Sequence, residues 1–257
     1  MRNAAGEISQ WLGSSTDIQE EKKIEEELRR LNEDLNQFAF AASHDLMEPL
    51  RMITSYSELL LETCGDQGTE EASVCVNFIS QGTRRMGELL ADLLSFTEVG
   101  GGEAAVEPVD LEIVLRTVTQ NLQAAIKESG TVLTHSPLPT VWGRPVHFVQ
   151  LLQNLVSNAI KYRGQSALAV HISAEQRDGE WLFAVTDNGR GIPAGYREQV
   201  FGVFKRLHGK EIPGTGIGLA ICRRVVDRRG GRIWVESGVE PGAKFCFTLP
   251  LENGGKR

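Results

Sequence analysis

At 257 residues, with 41% hydrophobic and 24% charged residues, the chain suits one large globular domain or two smaller ones. A formal net charge of -7 leaves no basic excess to neutralise phosphates, which argues against non-specific binding to nucleic acid or anionic membranes. No apolar run approaches the ~20 residues of a bilayer-spanning helix and no signal-peptide pattern opens the chain, so a cytoplasmic location is expected.

The first stretch, GEISQWLGSSTDI (residues 6–18), alternates like a strand and ends on a helix cap at Thr16 or Asp17. It has no partner strands nearby and reads as the last strand of an upstream domain. From Asp17 the apolar residues Ile24, Leu28, Leu31, Leu35, Phe38 and Ala42 recur in steps of four and three, flanked by Glu, Lys and Arg. That is a heptad seam. So narrow a stripe cannot bury itself, so a partner helix, and with it a second copy of the chain, is expected. The pattern continues through Leu46, Leu50 and Ile53, breaks at ETCGDQGTE, and resumes from about Glu70 to Phe96 with Cys75, Phe78, Met86, Leu89 and Leu93 on one face. Two helices joined by a short turn predict an antiparallel hairpin, and two hairpins a four-helix bundle.

The run GGGE, Gly100 to Glu103, predicts a flexible linker and a domain boundary, with residues 17–98 before it and 107–257 after it. Beyond it, residues 110–128 and 145–162 read as helices and 131–141 as a strand. ALAVHISAEQ and EWLFAVTDN alternate like paired strands around a turn at Arg177–Gly179. A helix over 217–229 and strands in GRIWVES and AKFCFTLP complete a mixed α+β domain with an antiparallel sheet. The cysteines Cys64, Cys75, Cys222 and Cys246 form no CxxC pair and meet no histidines at metal-ligand spacing, so reduced, mostly buried thiols are expected.

Three segments of this second region point to one kind of ligand. In NLVSNAIKY, Asn154 and Asn158 stand four apart on one helical face with Lys161 just round from them. Amide oxygens beside an ammonium suit a hydrated Mg²⁺ carried on a polyphosphate, although two asparagines at this spacing also arise by chance. In VTDNGRGIP, Asp187 closes an apolar strand, where a buried carboxylate needs a donor such as an exocyclic amine of adenine. Gly189 and Gly191 would let the backbone approach a flat base; alone, DNG equally makes a hairpin-like turn. In PGTGIGLAICRRVVDRRGG, the glycines of GTGIG open directly into a helix, whose free N–H groups suit phosphate. This is neither a Walker P-loop nor a dinucleotide fingerprint. Just upstream, Phe201, Phe204, Lys205, Arg206, His208 and Lys210 form a basic, aromatic-tethered loop of the kind that covers a nucleotide.

In combination these segments resemble a known family. Asn154–Lys161, Asp187–Gly191, Phe201–Phe204 and Gly214–Gly218 are similar to the N, G1, F and G2 boxes of sensor histidine kinases of two-component systems. Residues 38–53, FAFAASHDLMEPLRMI, resemble the H-box of the dimerisation and phosphotransfer (HisKA) domain in the form common among phytochrome-like kinases. Residues 6–18 are similar to the closing strand of a PAS sensory domain. The resemblance covers Gly6 to Leu251 and implies a dimeric antiparallel four-helix bundle followed by a Bergerat (GHKL) α/β sandwich that binds ATP and Mg²⁺. It further implies that Asn154, Asn158, Lys161, Tyr162, Asp187, Gly189, Gly191, Ile192, Phe201, Lys205, Arg206, Gly214, Thr215, Gly216, Ile217, Gly218 and Leu219 bind the nucleotide. Among these, Asn158, with Asn154 nearby, would hold the metal.

The same resemblance makes His44 the phosphoacceptor. His44 projects off the seam carrying Ala42 and Leu46, and a histidine of ordinary pKa keeps a nucleophilic ring nitrogen at pH 7. In the family an acidic residue at Asp45 orients the ring and takes its proton. Pro49 removes the N–H that would bond the Asp45 carbonyl, so a kink is expected just after the acceptor. Glu48 stands where many members place Thr or Asn to position a water for dephosphorylation; its carboxylate would repel the phosphoryl group, so weak phosphatase activity is expected. The implied homodimeric kinase passes its phosphoryl group to a response regulator receiver domain in trans. Two rival readings stay open: a GHKL ATPase clamp, which would usually carry a glutamate base where Asn154 stands, and a silent signalling scaffold.

Overall fold

The computed structural model describes residues 49–60, 70–100, 106–207, 214–236 and 242–251. The strand-like segment over 6–18, the heptad helix from Asp17, His44, Asp45, Glu48, Cys64, the His208–Pro213 loop and most of the GGGE linker lie outside these residues. So does the kink expected after Asp45. All described residues belong to one compact unit, His44–Arg257.

Helix α1 is described over residues 49–60 and α2 spans Glu70–Gly100, four residues past the expected end at Phe96. They run antiparallel: Tyr56 stacks on Phe78 at 4.3 Å, and Gly82 lies so close to Ile53 and the Pro49 carbonyl that a Cβ there would sit 2.9 Å from Ile53. The hairpin reading therefore holds for the described residues. Leu50, Leu59, Val74, Val76, Leu90 and Leu94 remain exposed along it, an apolar surface that the other described residues do not cover.

The α+β region begins with β1 (Glu107–Asp110), which turns directly into α3 (Leu111–Asn121) because the Asp110 carboxylate caps the helix by accepting from the Glu112 N–H at 2.8 Å. A single helix over 110–128 was expected; α3 instead breaks at Leu122 and α4 follows over Gln123–Ser129. The strand expected over 131–141 is likewise two strands, β2 (Val132–His135) and β3 (Thr140–Gly143), which join different sheets. Pro137 and Pro139, which lack the N–H a ladder needs, lie between them.

Helix α5 (Pro145–Lys161) begins with proline, whose fixed φ suits the first helical turn. It buries Phe148, Leu151, Leu152, Leu155, Val156 and Ala159, a stripe at helical spacing. Strands β4 (Ala169–Arg177) and β5 (Glu180–Asp187) pair antiparallel through the two-residue turn Asp178–Gly179, both at positive φ. After two 3₁₀ turns, Ala194–Tyr196 and Gln199–Phe201, come α6 (Gly218–Asp227), β6 (Ile233–Val235) and β7 (Ala243–Pro250).

The main sheet has the order β2-β4-β5-β7-β6. It is antiparallel as expected except for the β2–β4 pair, which is parallel. A separate two-stranded sheet pairs β1 with β3. Registration places Val170, Ile172, Phe183, Val185, Phe245 and Phe247 on one face of the sheet, and α5 and α6 pack with them into a single core. Burying a side chain of this size stabilises the fold by roughly 1.5–3 kcal/mol. The same register puts Asp187 at the end of that apolar face, opposite Val170 and Ala243, so a carboxylate ends up at the edge of the core. Cys75, Cys222 and Cys246 are free and buried, as their spacing led us to expect.

Candidate nucleotide site

Strand β5 delivers Asp187 into a nearly closed environment, 7% exposed. Its Oδ1 accepts from the Gly189 N–H at 2.8 Å and the Ala243 N–H at 3.2 Å. Oδ2 is left to the cavity that Asp187 lines. Burial raises the carboxyl above its ordinary value, and the two backbone donors oppose that shift. A ligand N–H reaching Oδ2 would favour the ionised form further.

Two glycines make this turn possible. Gly191 adopts φ +71°, and a Cβ on it would lie 2.7 Å from the Gly242 carbonyl. Gly242, at φ +126°, runs so close to Asp187 that a Cβ would lie 1.8 Å from the Asp187 carbonyl. The DNGRG turn is also held from α5: the Arg190 N–H donates to the Tyr162 carbonyl at 3.0 Å, and Asn188 bridges to the start of β4 through the Ala169 N–H at 2.8 Å.

The cavity beside Asp187 has a volume of about 60 Å³ and is walled by Asn158, Tyr162, Ile192, Lys205, Arg206 and Leu219 from the expected set. Gly191, also expected, completes it together with Ala159, Arg190, Val200, Leu207, Ala243 and Phe245, which were not among the expected site residues. Through Asn158, Tyr162, Val200, Lys205, Arg206 and Leu219 it shares its wall with an outer cleft of about 320 Å³. That cleft adds Asn154, Lys161, Gly214, Thr215, Gly216 and Gly218. An apolar-walled recess with one buried acid thus opens into a wider cleft bordered by two lysines, an arginine and a glycine-rich helix start. The inner part suits a flat heterocycle carrying a donor; the outer part suits an anion.

Three expected residues do not line either space. Phe201 is 3% exposed and makes an edge-to-face contact with Phe245 at 6.3 Å, so it anchors the loop rather than contacting a ligand. Ile217 is fully buried in the core at the foot of α6. Gly189 acts through its N–H on Asp187.

The two asparagines differ. Asn154 donates from Nδ2 to the Gly218 carbonyl at 3.1 Å and so pins α5 to the start of α6. Asn158 lines both spaces, and its side chain makes no hydrogen bond among the described residues. No group of three or more His, Cys, Asp or Glu side chains among the described residues could hold a metal alone. A Mg²⁺ here would therefore fit only as an ion brought on a polyphosphate and completed by a neutral oxygen such as that of Asn158.

Helix α2 also reaches the cleft. Glu88, Ala91 and Asp92 line its outer part, and the Thr215 hydroxyl donates to Asp92 Oδ2. Nothing in the heptad pattern marked these positions.

Comparison with known proteins accounts for both regions. Residues 143–253 match the family described as "Histidine kinase-, DNA gyrase B-, and HSP90-like ATPase", and residues 34–102 match the "His Kinase A (phospho-acceptor) domain". The chain belongs to the sensor histidine kinases. Cyanobacterial phytochrome A from Nostoc sp. is 41% identical over 235 residues, 91% of this histidine kinase chain. The chain spans only 30% of that relative's length. Full-length ShkA, solved in complex with AMPPNP, superposes with a TM-score of 0.59 at 28% identity, over 80% of this chain and 46% of that one. Histidine kinase ThkA, solved in complex with response regulator protein TrrA, gives a TM-score of 0.68 over 100% of this chain and 74% of that one, and at 21% identity it attests the fold. No helix among the described residues is long and apolar enough to cross a membrane.

Proposed function

We propose that this histidine kinase chain binds Mg-ATP, transfers the γ-phosphoryl group to His44, and passes it on to an aspartate of a response regulator in trans. What carries the reading is the continuity of the two spaces: a buried acceptor, Asp187, at the closed end and a cationic, glycine-bordered cleft at the open end. ShkA binds AMPPNP and ThkA binds a response regulator, and each supports the corresponding half of the proposal.

In this reading adenine enters beside Asp187, whose free Oδ2 accepts from its exocyclic amine. The polyphosphate lies along Gly214–Gly218, with Lys161, Lys205 and Arg206 offsetting its charge; positioning and charge stabilisation are most of what phosphoryl transfer needs. Mg²⁺, where bound, would neutralise phosphate oxygens, with Asn158 as its protein ligand and Asn154 as a neighbour. The His44 ring nitrogen attacks the γ-phosphorus, a P–N bond forms, the bond to the bridging oxygen breaks, ADP leaves, and Asp45 takes the ring proton. We take residues 17–98 as the dimerisation and phosphotransfer part and 107–257 as the ATP-binding part. The uncovered leucines of the hairpin support a homodimer.

The test is incubation of the purified chain with γ-labelled ATP, with and without EDTA. Protein-bound label that needs Mg²⁺ is expected. ATP hydrolysis with no label on the protein would replace this reading with an ATPase.

A further inference from the structure

Helix α2 does not merely border the outer cleft; it is fastened there. Asp92 Oδ2 accepts the Thr215 hydroxyl, and Thr215 belongs to the glycine-rich turn assigned above to the phosphates. The same hydroxyl oxygen accepts the Ile217 N–H at 3.3 Å, so Asp92 bears on the helix start itself. Four residues further along α2, the Phe96 ring lies under the Arg224 guanidinium at 4.4 Å; three further, the Val99 carbonyl accepts from Arg228 Nη1. Asp92, Phe96 and Val99 fall at helical spacing, so one face of α2 grips α6 along its length.

The chemistry of that grip opposes a polyphosphate. Glu88 and Asp92, one helical turn apart, place two carboxylates in the cleft that holds Lys161, Lys205 and Arg206. Carboxylates and phosphates in one cleft repel each other, and both call on the same donors, the Thr215 hydroxyl above all. We propose that Asp92 is a built-in competitor for the phosphate cleft, so that nucleotide binds fully only when α2 lets go of Thr215. This rests on the ATP-binding reading above. It gives the hairpin direct leverage over nucleotide affinity: any movement of α2 that lifts Asp92 from Thr215 raises the fraction of molecules competent to bind, and apparent affinity scales with that fraction.

The test is calorimetric titration of the full chain with Mg-AMPPNP, comparing wild type, Asp92→Ala and Arg224→Gln, with thermal melting to establish that each variant folds. Asp92→Ala should bind about tenfold more tightly, the scale of one charge-assisted hydrogen bond lost from the competing state. Arg224→Gln lies outside the cleft and takes the cation from over Phe96, yet it should tighten binding by roughly two- to fivefold. Unchanged or weaker binding by Asp92→Ala would overturn the proposal; weaker binding would make Asp92 a metal or nucleotide ligand. Tightening by Asp92→Ala with no response in Arg224→Gln would reduce it to a local charge effect without the grip, and so would also overturn it. If wild type binds and only these differences fail, the ATP site stands and the competitor falls. If no form binds nucleotide, both fall.

Discussion

Replacing Asp187 with asparagine separates what this residue does for the ligand from what it does for the fold. An asparagine Oδ1 can still accept from Gly189 and Ala243, so both backbone bonds survive. What changes is the other atom, where a carboxylate oxygen facing the cavity becomes an NH₂ donor. An adenine amine would then meet a donor in place of a charged acceptor. A hydrogen bond to a charged group contributes about 1.5–3 kcal/mol, so nucleotide affinity should fall by roughly 10- to 100-fold. Stability should move the other way. Burial raises the Asp187 carboxyl above its ordinary value, so holding the charge costs more in the folded state than in the unfolded one at every pH above the unfolded value. Asparagine carries no charge to hold. The urea midpoint of Asp187→Asn at pH 7 should therefore equal or exceed that of wild type while calorimetry shows weakened AMPPNP binding. Unchanged affinity, or a midpoint that drops along with affinity, would refute the assignment of Oδ2 to the ligand.

Other consequences can be measured on the same preparations. Gly242→Ala puts a Cβ into the Asp187 carbonyl at a φ of +126°, and backbone strain plus the forced shift should cost about 2–4 kcal/mol in urea unfolding. Asn158→Ala should weaken Mg-ATP binding by about tenfold while leaving metal-free ATP binding nearly unchanged, because only the metal loses an oxygen. His147, in the first turn of α5, has its pKa lowered from 6.5 to about 4 by burial and by Arg144, Arg228 and Arg229. Its folded form stays neutral while the unfolded form protonates, so stability should fall as pH drops from 6.5 towards 4. After allowance for solvent screening the loss should be about 1 kcal/mol at pH 5, and His147→Leu should flatten that slope in urea midpoints.

What the sequence revealed, and what it hid, follows from how local each signal is. The β4–β5 hairpin was legible because two strand-like apolar segments flank an Asp–Gly turn, and α5 because its apolar stripe and opening proline agree. The site was legible where polar residues interrupt those patterns: Asp187 ends an apolar strand, and Asn154 and Asn158 sit beside an apolar stripe. The break at Leu122 carries no glycine or proline, so nothing local announced it. The partition of β2 and β3 into separate sheets depends on pairing with β4 and β1, which no window of sequence contains. Phe201 was expected at the site because the resemblance places it in the F box, but its ring is needed in the core against Phe245. Glu88 and Asp92 lie off the apolar face of their helix and carried no signal of their own; only the packing of α2 on α6 brings them to the cleft.

The central claim is that this cleft serves a phosphoryl transfer to His44. Its most direct test is incorporation of label from γ-labelled Mg-ATP into wild type and His44→Gln, followed by acid and alkali treatment of the labelled protein. Label that is acid-labile, alkali-stable and absent from His44→Gln is the predicted result. Label that persists in His44→Gln, or that resists acid, would place the phosphoryl group elsewhere and contradict the account.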